Sequence, residues 1–561
     1  CLRMARWLRL IGIAALLAFA AAIPVANQHG RRDADRSASP VRAAQLRAAA
    51  AAAVASGFAS FEADVNILHL TDVHSWLSGH MHEPDDEADY PDLLAFYQHL
   101  EKMAHAKGKD VFFFNSGDLV DGTGLGGATA VDGQALLPII RQMPFAAITC
   151  GNHELYTDST IENFVQSGFI GSWNGRYIQG NIKNKTTDAL LGTPFAHITG
   201  AMGTELVVLG FLYNMKDHCD NVVVQDVELA VKEPWFAEAM LAAADPKVQA
   251  IVILAHMHVA DKLVSVILSA IRKTNKLKPV LFLTGHTHIR AYATLDPRAI
   301  SMESGKYLDT VGLLACSTTE AGLACEHDFV TPHKPTFYNM TSTSASTFQT
   351  PASLAMRSDI VVQRAKLGLD TVIGCSDREY QPWVPIDAPT SLWNLFITQV
   401  APAELPLPTQ KHLVFVGSTG SFRWNLFSGN VSIDDTYVVN PFQDPFWATY
   451  KVPGPVLAVA LSAILHKKMG MESEGLRTAD AAWFDAVLPA FVSTVAPEDL
   501  DADVIYDLTW FQFDTPVVRA ALKKANGGVE FPVSPFRQGD IDSRSVFESY
   551  IRREWTCPTS S

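Results

Sequence analysis

Apolar runs of strand length recur between residues 65 and 290, and most of them end in polar side chains of metal-binding types. Helix-like segments separate several of these runs. Strands that are buried on both faces read as continuous apolar stretches, so the pattern predicts a layered α/β domain. The polar residues that follow the runs are Asp72, His74, Asp118, Asn152, His153, His256, His286 and His288.

The clustering of these residues at strand ends predicts a metal site. Ligands of α/β sheets collect where strands end at their carboxyl side, and a spacing of two lets both side chains of an extended segment point the same way. A lone Asp after a strand usually caps a helix, and a lone His is usually solvated, but neither explains so many oxygen and nitrogen donors together. Apart from His153, these donors exceed the four or five ligands of one zinc-type ion, which favours two ions ~3.5–4 Å apart, bridged by Asp118.

The order D-x-H, G-D, G-N-H-E, lone His and G-H-x-H over residues 65–290 resembles the calcineurin-like metallophosphoesterases. The versions "SGDLVDG", "GNHEL" and "AHMH" are most similar to the secreted 5'-nucleotidase and UDP-sugar hydrolase branch. The resemblance implies an α/β (α+β) fold, with a two-sheet β-sandwich flanked by helices. It also implies two divalent ions, of Zn, Mn, Fe, Mg or Co. The first would be held by Asp72, His74, Asp118 and His288, and the second by Asp118, Asn152, His256 and His286.

The same resemblance gives His153 a role in catalysis and not in metal binding. It would stabilise charge on the phosphoryl group or protonate the leaving oxygen. In this branch an Asp three residues later orients the His, but here that position is Tyr156. Asp158, Asp121, Glu154 and Tyr156 itself all stay open as the orienting residue.

Residues 417–446 resemble a motif of the C-terminal domain of these nucleotidases, a smaller α/β domain. By match, Arg423 would contact the phosphate or the sugar, and Phe442 would stack on the base. A surface ion pair for Arg423 and a core position for Phe442 are the alternatives. The family's Asn at the loop start is Ser418 here, and its second stacking Phe has only "WFQFDTP", 510–516, as a nearest stretch.

The chain of 561 residues is too long for one core, and its composition shifts suggest several segments. The first residues combine three Arg, a short apolar run and a small-residue exit, which is typical of a signal peptide, with a single membrane anchor as the alternative. We expect a signal peptide over 1–26, a linker over 27–60, a catalytic domain over 61–345, a substrate domain over 346–545 and a polar tail over 546–561. A secreted, cell-surface or vacuolar/lysosomal location follows, with no stable membrane anchor after cleavage, and sequons fit a glycoprotein.

The net charge of −15 argues against nucleic acid as a partner, because binding its backbone needs clustered Lys and Arg. A small nucleotide or related phosphoester is the expected ligand. Among the cysteines, Cys316 and Cys325 are the likeliest bridge by spacing.

These features together favour hydrolysis of nucleotide phosphomonoesters by metal-bound hydroxide, as the resemblance implies. A phosphodiesterase or a nucleotide-sugar pyrophosphatase is the alternative within the enzymes. A catalytically silent ligand-binding protein on the same scaffold is the alternative of another class.

Overall fold

The computed structural model describes residues 57–406, 410–467, 488–539 and 541–558. The expected signal peptide and the linker as far as residue 56 lie outside these residues. In the part of the chain that is described, no helix is both long enough and apolar enough to span a membrane.

Two mixed sheets form the centre of the first unit. The strands of this unit are β1 (Val65–Leu70), β2 (Val111–Asn115), β3 (Ala147–Ile148), β4 (Ile182–Asn184), β5 (Phe195–Thr199), β6 (Glu205–Leu212), β7 (Val222–Val224), β8 (Val248–His256), β9 (Val280–Thr284), β10 (Arg290–Asp296), β11 (Ala299–Ser304), β12 (Val311–Thr318) and β13 (Leu323–Val330). Strands β4 and β7 form a small separate sheet. The first sheet has the order β13-β12-β1-β2-β3, and the second has the order β10-β11-β9-β8-β6-β5. Strands β1, β2 and β3 run parallel to one another, as do β6, β8 and β9.

Alternating side chains pack the sheets against each other on one face and against helices on the other. In β1, Ile67 lies in the core between the sheets, whereas Leu68 lies in the outer core. In β8, Val252 lies in the core between the sheets, whereas Ile253 lies in the core between the second sheet and its helices. The longer helices of this unit are α1 (Tyr90–His105), α2 (Asp158–Gln166), α3 (Pro234–Ala243), α4 (Lys262–Arg272) and α5 (Lys334–Thr341). The predicted two-sheet sandwich flanked by helices is therefore confirmed.

The first core extends further along the chain than the expected boundary at 345/346. Helix α6 (Pro351–Leu367) begins at a capping box on Thr350 and ends at Gly368, whose φ of 65° suits a residue without a side chain. Its buried Met356 and Ile360 belong to the first core, and the second core begins at Ile373. The Thr- and Ser-rich composition before residue 352 resembles a linker, but it does not reveal this packing.

A second five-stranded sheet organises the rest of the chain. The main elements of this second unit are β14 (Val372–Ser376), β15 (Leu413–Ser418), β16 (Gly429–Ser432), α7 (Ile433–Val439), β17 (Phe446–Pro453), α8 (Gly454–Leu465), β18 (Phe491–Ser493), β19 (Ile505–Phe511), α9 (Thr515–Ala525) and β20 (Ser534–Pro535). The sheet has the order β18-β15-β19-β17-β20, and β14 pairs with β16. One face packs on α8 and α9, and the other packs on an aromatic core that includes Phe415 and Phe511.

The segment expected as a polar tail, 546–561, is largely part of this second unit. Helix α10 (Ser543–Glu554) begins at a capping box on Asp542, and its Phe547 and Ile551 are fully buried in the aromatic core. The two buried residues are four apart, so they share one face of the helix. The many charged residues on the opposite face make the segment read as polar.

Two disulfides are present among the described residues. Cys316 and Cys325 are bonded across the β12–β13 pair, which confirms the predicted bridge. Cys375 of β14 is bonded to Cys557 beyond α10, over a sequence separation of 182 residues. The second bridge fastens the C-terminal helix to the start of the second unit.

We expect the long bridge to stabilise the protein more than the short one. Loop-closure entropy grows with the logarithm of the separation, so the two bridges should differ by about 2–3 kcal/mol in free energy of unfolding. Urea unfolding of the Cys375→Ala/Cys557→Ala variant should therefore show the larger loss, with Cys316→Ala/Cys325→Ala as the matched control. Equal losses would contradict the entropic account.

Candidate metal centre

The carboxyl ends of parallel strands from both sheets meet at one edge of the sandwich. Asp72 and His74 follow β1, Asp118 follows β2, and the pair Asn152 and His153 follows β3. From the second sheet, His256 is the last residue of β8, and His286 and His288 follow β9. The structure thus brings together all the side chains that the sequence predicts as ligands.

Most of these residues have a backbone conformation that is uncommon for residues with a side chain. The φ angles are 52° at Asp72, 44° at His74, 55° at Asp118, 82° at His286 and 62° at His288. Left-handed conformations of non-glycine residues cost free energy and concentrate at functional sites, where surrounding contacts enforce them. Their concentration here indicates that the loops are shaped to aim these side chains inward.

Asp72, His74, Asp118 and His288 form the first group, whose potential ligand atoms all lie within 4.8 Å of one another. The Nδ1 of His74 donates to the carbonyl of Val120 at 2.7 Å, which leaves Nε2 with its lone pair. That Nε2 lies 3.6 Å from the Asp118 carboxylate and 3.2 Å from Nε2 of His288.

Asp118, His256 and His286 form a second group with the same mutual proximity. The Nδ1 of His256 donates to the carbonyl of Ser116 at 2.8 Å, which directs Nε2 toward the other members of the group. It lies 3.1 Å from Asp118 Oδ2 and 3.0 Å from Asn152 Oδ1, and the latter is 2.8 Å from Nδ1 of His286.

Asp118 belongs to both groups, and its Oδ2 is buried without a hydrogen-bond partner among the described residues. Buried carboxylate oxygens are normally paired, and converging lone pairs repel unless a cation lies between them. The donor set consists of oxygen and nitrogen atoms, which suits zinc-like and harder divalent ions. The residues therefore fit one or two divalent cations, although they do not identify the metal.

The charges of this cluster strongly perturb its titrations. Burial disfavours the charged forms, but His256 and His153 outweigh it and hold the pKa of Asp118 well below its usual range. Burial likewise opposes protonation of His256, yet the Asp118 carboxylate raises the pKa of His256 to about 10. At His286 burial prevails and lowers the pKa to about 4.

Asp121 is the residue that contacts His153. Its Oδ2 lies 2.7 Å from Nδ1 of the imidazole, and the His153 backbone N–H donates to Asp118 Oδ1 at 2.9 Å. Burial lowers the pKa of His153, but the two carboxylates outweigh it and raise the pKa above its ordinary value. Asp121 is the second acidic residue of the motif "SGDLVDG", three residues after Asp118, so the sequence contained the signal.

The other candidates for orienting His153 have different partners. Glu154 is fully buried and accepts backbone N–H bonds from Gly151 and Leu119, which ties the loops after β2 and β3 together. Asp158 accepts from the backbone of Asn221. The hydroxyl of Tyr156 accepts from the side chain of Asn152.

Arg423 and Phe442 of the second unit lie beside His153. The Phe442 ring stacks on the His153 ring at 6.1 Å between centroids, and the Arg423 guanidinium lies 4.9 Å from the centre of the Phe442 ring. The Nε of Arg423 is buried without a hydrogen-bond partner in the described part of the chain. Both residues are partly exposed and lie beside His153, next to the metal centre.

Sequence reasoning missed an aromatic residue that joins the two units. Tyr307 lies 5.2 Å from His74 and 5.4 Å from His288, as ring centroids, and 5.5 Å from Trp424 of the second unit. No motif contains Tyr307. Its position after β11 depends on the tertiary structure.

Comparisons with known proteins agree with this architecture. Residues 65–290 match the family model described as calcineurin-like phosphoesterase, and residues 380–486 match the NAD nucleotidase C-terminal domain. An uncharacterised protein of Schizosaccharomyces pombe is 26% identical over 555 residues, which cover 88% of this chain and 92% of that protein. A protein of Arthroderma benhamiae named "Secreted protein" is 27% identical and is covered over 67% of its length.

Solved structures share the fold of both units. The 5'-nucleotidase from Candida albicans is 24% identical with a TM-score of 0.77, and the alignment covers 87% of this chain and 98% of that one. A 5'-nucleotidase precursor from Thermus thermophilus is 13% identical with a TM-score of 0.60, covering 88% of this chain and 97% of that one. Residues 65–290 thus form a domain of the calcineurin-like phosphoesterase type, and residues 380–486 match a C-terminal domain of the NAD nucleotidase type.

Proposed function

We propose that this protein is a two-metal phosphohydrolase that acts on nucleotide phosphomonoesters. The observation that carries the proposal is the convergence of both ligand groups on Asp118, directly beside the paired His153 and Asp121. An intact ligand set also argues against a catalytically silent binding protein, because a protein that has lost catalysis has no need to keep strained ligands.

Asp72, His74, Asp118 and His288 would hold one ion, and Asp118, Asn152, His256 and His286 would hold the other. Two divalent ions in such sites activate water and stabilise the attacking and leaving oxygens of an in-line displacement. The chain's own contribution is to fix the imidazole orientations, through the bonds of His74 to Val120 and of His256 to Ser116. Most of these ligands are buried, which limits the access of bulk water, whereas His286 and His288 are partly exposed.

His153 would act on the phosphoryl group or the leaving oxygen. Because Nδ1 is engaged by Asp121, Nε2 faces the metal centre, 4.0 Å from Asp118 Oδ2. The carboxylate stabilises the imidazolium form, which can donate a proton or a hydrogen bond from Nε2. His153 is thus the proposed catalytic residue, and Asp121 is its positioning residue.

The second unit would recognise what the phosphate is attached to. Arg423 supplies a positive charge and a planar fork for phosphate or sugar oxygens, and the exposed part of Phe442 supplies a surface on which a base can stack. The 5'-nucleotidase of Candida albicans, which shares this two-unit fold, supports nucleotides as the substrate class.

We also propose export through the secretory pathway. Disulfides persist in oxidising compartments, and the described part of the chain contains two of them, Cys316–Cys325 and Cys375–Cys557. A relative named "Secreted protein" supports the same route.

Activity should depend on about two divalent ions per chain, as expected for a bridged pair. Asp118→Asn should lower the metal content and abolish most of the activity, because a neutral amide cannot balance two cations. Elemental analysis of the purified protein measures this directly. Asp121→Asn is the control, since it should keep the ions. A wild-type protein that binds one ion or none after reconstitution would refute the two-metal proposal.

His153→Ala should leave the metal content intact and slow turnover by a factor on the order of 10²–10⁴, as for other lost general acids. Asp121→Asn should cause a smaller loss, because the ring stays in place with a weaker partner. Steady-state kinetics at saturating metal distinguishes the two variants. If Asp121→Asn left kcat unchanged, Asp121 would not position the imidazole.

Nucleoside monophosphates should be better substrates than cyclic nucleotides or nucleotide sugars in a hydrolysis screen. Phe442→Ala should raise the KM for a nucleoside monophosphate on the order of 5- to 150-fold, from a stacking contribution of ~1–3 kcal/mol per base. It should change the KM for a small aryl phosphate much less.

Phe427→Ala is the matched control for this substitution, because Phe427 belongs to the same segment but stacks on His82. If Phe442→Ala affected all substrates alike, the second unit would not be a nucleotide-binding surface. A screen in which only diesters are cleaved would favour the phosphodiesterase alternative.

A further inference from the structure

Tyr156 occupies the place of an expected acidic residue, but it does not take over that residue's role. Its ring meets the His153 ring edge-on, with 5.0 Å between centroids and an interplanar angle of 89°. The Nδ1 atom of His153 is already hydrogen-bonded to Asp121. The Tyr156 hydroxyl instead accepts a hydrogen bond from Nδ2 of Asn152 at 2.9 Å.

This bond determines which end of the Asn152 amide faces the metal centre. An amide has an oxygen that can bind a cation and an NH₂ group that cannot. With Nδ2 held by the phenol, Oδ1 points to His256 and His286, at 3.0 and 2.8 Å. Without a partner for Nδ2, this hydrogen bond would no longer oppose a rotation of the amide that brings its nitrogen to the centre.

The phenol also has a hydrogen of its own to donate. Within the described residues, Tyr156 Oη accepts from Asn152 and no protein acceptor receives its hydrogen. Tyr156 is 37% exposed, so part of the residue is accessible from solvent. The Arg423 guanidinium lies over the Phe442 ring, and both Phe442 and Tyr156 contact the His153 ring, so these residues surround the same imidazole.

We propose that Tyr156 is a positioning residue for the metal ligand Asn152, and that its hydroxyl donates a hydrogen bond to an oxygen of the bound phosphoryl group. The inference rests on the proposed metal centre. It separates two tasks that one acidic residue cannot combine: Asp121 orients the imidazole, and Tyr156 orients the amide. A carboxylate at position 156 could accept from Nδ2 but would repel the substrate's phosphate.

Tyr156→Phe tests both parts, because it keeps the ring and its packing on His153 and removes only the hydroxyl. Chelator competition should show a second ion that binds about 10- to 100-fold more weakly, the usual loss when a residue that orients a ligand is removed. At saturating metal, the inhibition constant of inorganic phosphate should rise about three- to tenfold, as for one lost hydrogen bond. Tyr450→Phe is the matched control, since Tyr450 is 42% exposed on β17, and it should change neither value.

A double-variant cycle separates positioning from general damage. Asn152→Asp has an oxygen at both ends of the side chain, so rotation no longer matters to the ion. In that background Tyr156→Phe should change metal affinity by less than about twofold. An equal loss in both backgrounds, or no loss in the wild-type background, would overturn the positioning role.

The phosphate measurement decides the second half of the inference by itself. An unchanged inhibition constant in Tyr156→Phe at saturating metal would refute the hydrogen bond to the phosphoryl group. Failure of the proposed function has a different signature, which is a wild-type protein without two bound ions. A wild-type protein that binds both ions and an unaffected Tyr156→Phe variant would refute this inference alone.

Discussion

The carboxylate of Asp118 is the interaction on which the rest of the centre depends. One oxygen accepts the backbone N–H of His153 at 2.9 Å, and the other is buried among the imidazoles of both ligand groups without a hydrogen-bond donor among the described residues. A fully buried anion without compensation would cost several kcal/mol, so this arrangement is stable only with positive charge nearby. The two groups, His153 and the loop after β3 are all organised around this side chain.

This arrangement requires uncommon backbone conformations and a close approach between the loops. Five ligand residues have positive φ angles, and a side chain at Gly151 would place its Cβ only 2.1 Å from Asp118 Oδ1. A glycine is therefore required immediately before Asn152, since any larger residue would displace the shared carboxylate. Buried Glu154 holds the two loops together by accepting N–H bonds from Gly151 and Leu119. In the segment "GNHE", the glycine permits the close approach to Asp118, the Asn and His are the functional side chains, and the Glu connects the two loops.

Much of this site can be predicted from sequence, because strand ends are marked by the change from apolar to polar residues. The ligand candidates after β1, β2, β3, β8 and β9 follow from that rule, and the structure brings them together. Asp121 could not be chosen over Asp158, because both lie in irregular segments whose direction depends on tertiary contacts. The sequence of helix α10 resembles a polar tail, since one buried face on a charged helix gives a weak signal. The continuation of the first core into α6 is also hard to predict, because only a few residues of this helix are buried.

The relation between the two units could not be derived from any motif, yet it determines which residues reach the metal centre. Trp424 of the second unit packs edge-on against Trp76, His80 and Tyr307, with centroid distances of 5.2, 5.1 and 5.5 Å. Its indole N–H donates to Glu83 at 3.1 Å. Aromatic pairs of this kind contribute ~0.5–1.5 kcal/mol each beyond the area they bury. Because Arg423 immediately precedes Trp424, the same contacts that hold the units together also hold the guanidinium beside the centre. Substrate recognition by the second unit therefore depends on the docking of Trp424 as much as on Arg423 itself.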